Sequence, residues 1–519
     1  MSFNLDGSYN RGWFQRDLTN QKLQFLTAQL APAVLRHGGS GNDYMDYAVP
    51  TSSGLPTAPA CLANKSYPVL PGTNHCPSWS DSKNCSAMAA APGFCAAAAK
   101  GPQPYCCDQC GANWNATSYP WAHGGSEGCS HWSHFGGPAT LTCTCLTQPK
   151  FDDLLELASR TNLSLVFGLS FSADANSSHT MALLQHVAES PHPVWGYEYG
   201  NEQHLVERTA QQFGTLQDLL PALYRDRPAA IPKLIGPDWF DTDPDGFFPK
   251  VKELGIELYA FTFHEYLGAS LAESGSAAQL SQRLASGSLA SLRAAGAPSS
   301  TKLWVGEAGG VAGGGVQGFT DAYNGGRWWL ASLGVHALSG VSVFCRQDLL
   351  GGNYGLLSDN FPWNVPLSTT PEAMKAVSPL PDYWTALLWK RLMGTSVLRA
   401  IVDQSGTLNV MAFVHCSHQT PGGGLSVVLI NTDTNRGVNM TFDDQTFRGR
   451  RVDYRLAAAG AHGIALNGER LEVSGEWGAW EMPSLDGRSA PTGADSRVEM
   501  QADSYSFFEF PEADAPACR

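Results

Sequence analysis

The stretch Val194–Glu202 is V-W-G-Y-E-Y-G-N-E, a short and largely apolar run that closes on two polar residues, Asn201 and Glu202. A second stretch, Thr301–Ala308, is T-K-L-W-V-G-E-A and closes on Glu307 in the same way. Runs of this length and apolar character are typical of strands that are buried on both faces of a sheet. Each run therefore predicts a parallel β-strand with an acid at its carboxyl end.

Six further runs of the same kind occur along the chain. They cover Ser2–Asp6, Pro32–Ser40, Leu163–Phe171, Lys233–Phe240, Leu258–Tyr266 and Gly340–Gln347. Helical patterns lie between them at Leu18–Leu30, Phe151–Arg160, Thr180–Glu189, Ser276–Ala295 and Thr320–Leu333. Strands that alternate with helices indicate a parallel sheet, and eight such units indicate a closed (β/α)8 barrel. We assign residues 1–395 to this barrel.

Residues 46–146 interrupt the barrel after its second strand. Gly, Pro, Ala, Ser and Cys dominate this segment, and ten of the 13 cysteines fall between Cys61 and Cys145. Such clustering favours a disulfide-stapled insertion in an oxidising compartment. Cys106, Cys107 and Cys110 also suggest zinc, but a second cysteine pair at zinc-finger spacing is missing. We expect neither a metal nor another cofactor.

Residues 396–519 differ from the barrel because strands follow one another without helices. The predicted strands are Leu408–His415, Gly424–Asn431, Gly437–Phe442 and Ser504–Phe510. Regular short strands with turn signals between them predict an antiparallel β-sandwich. The fold class is therefore α/β, a barrel with a C-terminal sandwich and a Cys-rich insertion.

Charge and composition exclude several classes of partner. The net charge is −14 and the charged residues amount to 15%. A nucleic acid needs a basic surface, so we expect no nucleic-acid binding. No apolar run reaches ~18 residues, so we expect at most peripheral membrane contact. The chain opens on a predicted strand, so a leader has either been removed or is lacking. Six N-x-S/T sequons support the secretory route: Asn64, Asn84, Asn115, Asn162, Asn176 and Asn439.

The two strand-ending acids are the candidate catalysts. In a (β/α)8 barrel the active site lies at the carboxyl ends of the strands, and cleavage of a glycosidic bond needs two carboxyl groups that flank it. We predict that Glu202 and Glu307 lie ~5–5.5 Å apart, the retaining geometry, whereas ~9 Å would indicate inversion. The alternative is that each acid is only a structural partner. Asn201 either bonds the 2-hydroxyl of the sugar or caps the next helix.

Two more stretches add candidate sugar-binding residues. The sixth strand closes on F-H-E-Y, where Tyr266 could hold the nucleophile and His264 either lines the pocket or is a packed, satisfied side chain. Glu265 should point away, because side chains alternate along a strand. After Glu307 comes a glycine-rich loop, whose backbone N–H groups could approach an anion closely.

Together these stretches resemble glycoside hydrolase family 79, the heparanase and β-glucuronidase family. The specific matches are G-Y-E-Y-G-N-E, L-W-V-G-E, F-C-R-Q-D-L-L-G-G-N-Y-G-L-L-S-D-N-F, P-L-P-D-Y-W-T-A-L-L-W-K-R-L-M-G and S-Y-S-F-F-E-F. The resemblance covers nearly the whole chain except residues 46–146. It implies a retaining β-glucuronidase with Glu202 as acid/base and Glu307 as nucleophile.

The resemblance also implies a set of pocket residues and one disulfide. The matching pocket residues are Asp6, Ser40, Asn201, Tyr266, Gln347 and Tyr354, and Gly313, Gly314 and Tyr354 would hold the glucuronate carboxylate. The family often has threonine at the position of Ser40 and an aromatic residue in its animal members at the position of Ala312. The family's terminal disulfide corresponds to Cys416 and Cys518.

The implied partner is a glucuronate-containing oligosaccharide, polysaccharide or small glucuronide. The expected location is secreted, in the cell wall or in a lysosome-like or vacuole-like compartment. Two alternatives remain: a retaining glycosidase of the same clan with another sugar specificity, and a non-catalytic extracellular glycan-binding protein. Exo or endo action, the natural aglycone and the oligomeric state stay open.

Overall fold

The computed structural model describes a defined set of residues. These are residues 1–6, 18–39, 42–43, 45–49, 128–130, 143–171, 173–203, 205–239, 246–285, 287–358, 377–402, 409–443, 445–475, 479–490 and 497–519, with the backbone alone at 46, 48, 128–130 and 143–145. Ser40 and nearly all of the Cys-rich segment 46–146 lie outside the described residues. The disulfide-stapled insertion therefore stays a prediction.

Eight parallel strands form a closed barrel. In chain order, β1 to β8 are Ser2–Asp6, Ala33–Gly38, Leu163–Leu169, Gly196–Tyr199, Lys233–Trp239, Ala260–Tyr266, Lys302–Gly309 and Val341–Arg346. Each strand pairs with the next one along the chain, and β1 pairs with both β2 and β8. The predicted barrel is confirmed, and because all of its strands are parallel, the carboxyl ends of β4 and β7 lie at the same rim.

Six apolar side chains from different strands fill the barrel at the end opposite this rim. They are Val34, Val166, Ile235, Ala260, Trp304 and Cys345. Residues from β2, β3, β5, β6, β7 and β8 can meet only inside the barrel. This layer is apolar, so the polar residues inside the barrel are concentrated toward the rim.

Helices surround the barrel. α1 to α10 are Gln21–Gln29, Gln148–Arg160, Ser178–Glu189, Val206–Leu223, Phe247–Glu253, Ala269–Ser274, Ala277–Leu284, Leu289–Ala294, Gly325–Leu338 and Pro381–Leu392, with short 3-10 helices at Pro228–Ala230, Gly352–Tyr354 and Pro516–Cys518. Several helices have an N-cap side chain that accepts a hydrogen bond from a backbone N–H group of the first turn, for example Asn20 before α1 and Ser177 before α3. No described helix combines the length and apolar character needed to cross a membrane.

Two predicted helices have different bounds in the structure. The stretch predicted as one helix from Ser276 to Ala295 is two helices, α7 and α8, and Ser288 is the N-cap of α8. Gly287 lies against the ring of Phe263, at a position where a Cβ would be only 2.5 Å from that ring. The helix predicted from Thr320 begins only at Gly325. The intervening turns hold the glycine-rich loop described below.

Antiparallel sheets make up the C-terminal part. Seven strands form a continuous antiparallel order, and an eighth pairs at its side. In spatial order they are Met393–Leu398, Val410–Ser417, Leu425–Asn431, Ser504–Phe510, Arg451–Ala458, Ile464–Leu466 and Glu469–Arg470, with Arg488–Ala490 beside Arg451–Ala458. Two further pairs are Val438–Met440 with Val498–Met500 and Leu357–Ser358 with Ser378–Pro379. The prediction of antiparallel strands in this part of the chain is confirmed, with a short 3-10 helix at Pro516–Cys518 after the last strand.

The strand Ser504–Phe510 contributes to two cores. Tyr505 and Phe507 belong to the same apolar cluster as the barrel and its helices. Phe508 and Phe510 belong to a second cluster within the C-terminal sheets. Because side chains alternate along a strand, one face of this strand packs toward the barrel and the other toward the two-stranded sheet.

A disulfide joins Cys416 to Cys518 across 102 residues, as the family resemblance implied. Among the described cysteines Cys345 is a buried free thiol. A small sheet lies beside the barrel, where Met45–Ala48 runs parallel to Cys143–Thr147 and Gly128–Ser130 pairs antiparallel with the latter. The sequence did not predict this sheet.

Candidate active site

Glu202 follows β4 on a turn whose backbone passes through the left-handed region. Gly200 has a φ of 78° and Glu202 a φ of 58°. Residues with a side chain rarely adopt this region, at a cost of roughly 1–3 kcal/mol that surrounding contacts must offset. The amide of Glu202 donates to the carbonyl oxygen of Asp238 at 2.8 Å, and the amide of Asn201 donates to Oδ1 of Asp43 at 2.7 Å. These contacts fix the direction of the Glu202 side chain.

Glu202 and Glu307 face each other at the barrel rim. One carboxylate oxygen of each and one ring nitrogen of His264 all lie within 4.8 Å of one another. Direct attack by one carboxylate requires a separation of ~5–5.5 Å, whereas ~6.5–9.5 Å admits a water between them. The two carboxylates therefore lie close enough to act on the same glycosidic bond.

Each carboxylate oxygen of Glu307 accepts a hydrogen bond. The hydroxyl of Tyr266 donates to Oε1 at 2.5 Å, and Nη1 of Arg36 donates to Oε2 at 3.0 Å. Burial, together with the adjacent Glu307, raises the pKa of Tyr266 well above its ordinary value, so the phenol remains a donor. These donors orient the carboxylate and stabilise its charged form.

Arg36 lies at the centre of a buried charge network. Its Nε is 2.8 Å from Oε2 of Glu198, and its Nη2 is 2.9 Å from Oδ2 of Asp238. Nη2 also donates to Oδ1 of Asn201 at 2.9 Å, which orients that side chain beside Glu202. The guanidinium thus links residues of β2, β4, β5 and β7.

The carboxyls of Glu198 and Asp238 share Arg36, and their pKa values shift in opposite directions. Burial, reinforced by neighbouring Asp238, raises the pKa of Glu198 well above its ordinary value despite Arg36. Burial would also raise the pKa of Asp238, but Arg36 and His264 outweigh burial and hold this pKa below its ordinary value.

His264 is a buried cation beside the two acids. Its Nδ1 lies 2.7 Å from Oε1 of Glu202, and its Nε2 lies 3.1 Å from Oδ1 of Asp238. Burial opposes the charge, but Glu307, Asp238 and Glu202 outweigh it and raise the pKa of His264 to about 10. The side chain of Glu265 points the other way as predicted, toward Arg283 and His336 on the helices.

Asp6 and Gln347 form a second predicted group. Nε2 of Gln347 donates to Oδ2 of Asp6 at 2.8 Å, and its Oε1 accepts from Asn4 at 2.9 Å. The amide of Gln347 donates to the carbonyl of Ala308 at 2.8 Å, so the group adjoins the residue after Glu307. Ser40, the remaining predicted residue of this side, lies outside the described part of the chain.

The glycine-rich loop and Tyr354 form a third predicted group. Gly313 and Gly314 have φ values of 73° and 105°, which favour glycine. The carbonyl of Gly314 accepts from the amide of Asn353 at 2.7 Å, next to Tyr354 in the 3-10 helix. Tyr354 is 2% exposed and close enough to Tyr266 to contribute to its raised pKa.

Four buried ionisable residues of the network are absent from the sequence prediction. They are Arg36, Asp43, Glu198 and Asp238, each at most 2% exposed. Arg36 and Glu198 interrupt otherwise apolar strands, and a charge inside a buried run is rare unless it is paired. That interruption is the signal from which they could have been found.

Glu202, His264 and Glu307 are also the described residues whose ligand atoms are close enough to share a cation. An imidazole held in its protonated form has no lone pair to offer a metal. The burial and ion pairing of His264 therefore favour a proton rather than a metal ion at this place.

Comparison with known proteins agrees with this fold. The profile of the glycosyl hydrolase family 79 N-terminal domain matches residues 133–334. Baicalin-beta-D-glucuronidase from Scutellaria baicalensis is 25% identical over 412 residues, covering 70% of this chain and 72% of that protein. Fold, site and sequence similarity together define the chain as a glycoside hydrolase. Over residues 133–334 its sequence is similar to the N-terminal domain of glycoside hydrolase family 79.

Two further relatives and one solved structure extend the comparison. Heparanase-like protein 3 from Arabidopsis thaliana is 29% identical, over 56% of this chain and 55% of that protein. Heparanase from Mus musculus is 30% identical, over 42% of this chain and 38% of its own length. The chain thus spans only about half, or less, of these two relatives. The Fusarium oxysporum 12S 4-O-alpha-L-rhamnosyl-beta-D-glucuronidase structure shares the fold, with a TM-score of 0.56, 13% identity, and coverage of 98% of this chain and 95% of its own.

Proposed function

We propose that this chain is a retaining β-glucuronidase, with Glu307 as the nucleophile and Glu202 as the acid/base. The observation that carries the proposal is the approach of one oxygen of each carboxylate to within 4.8 Å. This closeness supports attack by Glu307 on the carbon whose leaving oxygen Glu202 protonates.

The reaction proceeds in two displacements. Glu307 attacks the anomeric carbon while the bond to the leaving oxygen breaks and Glu202 gives that oxygen its proton. A glycosyl ester on Glu307 results. Water then attacks the anomeric carbon, Glu202 takes the proton from the water, and Glu307 leaves as a carboxylate. Tyr266 and Arg36 stabilise the charged form of Glu307 at the beginning and end of this cycle.

The proposed sugar is a β-glucuronide. The names of two relatives, Baicalin-beta-D-glucuronidase and Heparanase, support this choice. Its carboxylate would bind backbone N–H groups of Gly313 and Gly314 and the hydroxyl of Tyr354. The hydroxyls of the sugar would bind Asp6, Ser40, Asn201 and Gln347, whereas His264 is a packed side chain whose two ring nitrogens face Glu202 and Asp238. Glucuronate-bearing oligosaccharides, polysaccharides or small glucuronides are the corresponding substrates.

The proposal also includes the organisation of the chain. Residues 1–395 form the catalytic unit, interrupted by the Cys-rich insertion 46–146, and residues 396–519 form the β-sandwich. The Cys416–Cys518 disulfide and the exposed sequon asparagines Asn162, Asn176 and Asn439 support secretion or a lysosome-like location.

The test replaces each acid by its amide. Glu307→Gln and Glu202→Gln should each reduce kcat/KM on phenyl β-glucuronide by more than ~100-fold, because each removes an essential group. Glu265→Gln is the matched control, since Glu265 lies on β6 but faces the helices. Undiminished turnover in either acid variant contradicts the assignment. NMR of the first-formed product distinguishes the stereochemistry, and a faster reaction on aryl glucosides would replace the sugar assignment.

A further inference from the structure

Asp238, near the end of β5, is held in an unusual conformation. It is 0% exposed, and its φ of 58° lies in the left-handed region. Its amide donates to Oγ1 of Thr262 at 2.8 Å, and its carbonyl accepts from the amide of Glu202 at 2.8 Å. A strained, fully buried acid persists only where surrounding contacts fix it, and such residues cluster at functional sites.

The neighbouring strand leaves space for the Asp238 carboxylate. A Cβ on Gly306, the residue before Glu307, would lie 2.0 Å from Oδ1 of Asp238 and 3.1 Å from Cβ of Thr262. Because Gly306 has no side chain, the Asp238 carboxylate can lie directly against the backbone of β7. The place of this carboxylate is thus defined by β5, β6 and β7 together.

Asp238 is connected to the acid/base through His264. Its Oδ1 forms an ion pair with Nε2 of His264 at 3.1 Å, at an angle that departs from a straight hydrogen bond. The opposite ring nitrogen, Nδ1, lies 2.7 Å from Oε1 of Glu202 and 4.0 Å from Oε2 of Glu307. A protonated imidazole carries N–H on both nitrogens, so Nδ1–H donates to Glu202 while the charge of Asp238 attracts the opposite side of the ring. The other oxygen of Asp238, Oδ2, forms an ion pair with Nη2 of Arg36 at 2.9 Å.

We propose that Asp238 is the positioning residue of the acid/base. It orients His264 so that Nδ1–H donates a hydrogen bond to Oε1 of Glu202. The other oxygen of Glu202, Oε2, then carries the proton that goes to the leaving oxygen. This inference rests on the proposed role of Glu202. During the first displacement the proton passes from Oε2 to the leaving oxygen as the glycosidic bond breaks, and Nδ1–H stabilises the carboxylate that forms. Asp238 itself touches no reacting atom.

The test is the dependence of the rate on the leaving group. Asp238→Asn keeps the shape and tolerates the left-handed backbone, but it removes the charge that holds His264. A dinitrophenolate leaves without much protonation, whereas a phenolate needs the acid. We expect kcat/KM of D238N to fall roughly 100-fold on phenyl β-glucuronide and less than about threefold on dinitrophenyl β-glucuronide, with nitrophenyl between them.

Asp503→Asn is the matched control. Asp503 also has a left-handed φ, 47°, and pairs with a buried arginine at 3.0 Å, but this partner, Arg327, lies on α9 against the C-terminal sheet. D503N should leave the leaving-group dependence as in the wild type. Thr262→Val is the second variant, because it removes the hydroxyl that accepts from the Asp238 amide without changing a charge. It should also lower kcat/KM more on phenyl than on dinitrophenyl β-glucuronide, by a smaller factor than D238N.

An equal loss of kcat/KM across all three leaving groups in D238N would mean a structural role only and would overturn the proposal. So would wild-type dependence in both D238N and T262V. If D238N does not fold, T262V alone decides between these results. If the wild type cleaves another aryl glycoside instead of the glucuronide, the sugar assignment fails, and the same series on that glycoside still tests Asp238.

Discussion

Arg36 shows how one buried cation can organise several acids. It is 2% exposed and lies within 3.0 Å of carboxylate oxygens of Glu198, Asp238 and Glu307. Removing one partner of such a network leaves the others charged in a medium that solvates them poorly. The loss then far exceeds that of a single surface ion pair.

Arg36→Met should therefore lower the free energy of unfolding by roughly 3–5 kcal/mol. Denaturant unfolding of the purified variant measures this change. Arg160→Met is the matched control, because Arg160 pairs with Glu156 and its side chain is 61% exposed. That control should lose about 0–1 kcal/mol. Equal losses in the two variants would contradict the central role of Arg36.

At this scale the sequence predicted the acids but not their partners. Glu202 and Glu307 could be found because each ends an apolar run, and the position of strand ends in a barrel is a general property. Arg36 and Asp238 contact them only after the barrel closes and brings β2 and β5 toward β4 and β7. Pairing of that kind depends on strand register and tilt, which no local pattern contains.

At the scale of elements, the glycine-rich loop is held by the residues that follow it. Oγ1 of Thr320 accepts from the amide of Val316 at 2.7 Å and donates to the carbonyl of Asn353 at 2.5 Å. Asn353 in turn bonds Gly314 through its amide. These bonds explain why α9 begins at Gly325 rather than at Thr320. Helical periodicity alone could not reveal that these residues form turns.

Thr320→Val should raise KM for aryl β-glucuronides about tenfold and change kcat by less than about threefold, since it loosens the loop proposed to bind the carboxylate without touching the acids. Steady-state kinetics measures the split. Thr385→Val is the control, because Thr385 is buried and its hydroxyl bonds a carbonyl within α10. A fall in kcat with unchanged KM would assign the loop a different role.

At the scale of the whole molecule, the barrel and the C-terminal sheets share a core. The rings of Tyr323 and Tyr505 stack at 4.6 Å, and Arg327 on α9 pairs with Asp503. Phe507 packs in the same cluster as the barrel helices. The two parts therefore stabilise each other, and the pH dependence of unfolding reports on buried groups of both.

His37 should make the folded protein sensitive to acid. Burial, with Arg36 beside it, lowers its pKa from 6.5 to about 3. Between these values the unfolded chain binds a proton that the folded protein does not, so stability falls as pH is lowered, by at most roughly 1.4 kcal/mol per pH unit. The stabilising contribution is complete above 6.5.

His37→Phe should remove this part of the dependence while keeping the stacked contact with Phe167, whose ring lies 4.6 Å away. Denaturant unfolding near pH 7 and near pH 5 gives the comparison. The wild type should lose about 2 kcal/mol more than the variant between these conditions. Parallel pH profiles for the two proteins would show that His37 is not responsible.

The small sheet beside the barrel sets a lower limit on the connection that it requires. Met45–Ala48 and Cys143–Thr147 are parallel neighbours, so the chain must leave the end of one strand and return to the start of the other. A crossover of this kind takes about a dozen residues. The chain uses 94, from 49 to 142. Three of them, Gly128–Ser130, add the third strand of the sheet, so the connection is several times longer than the parallel crossover itself requires.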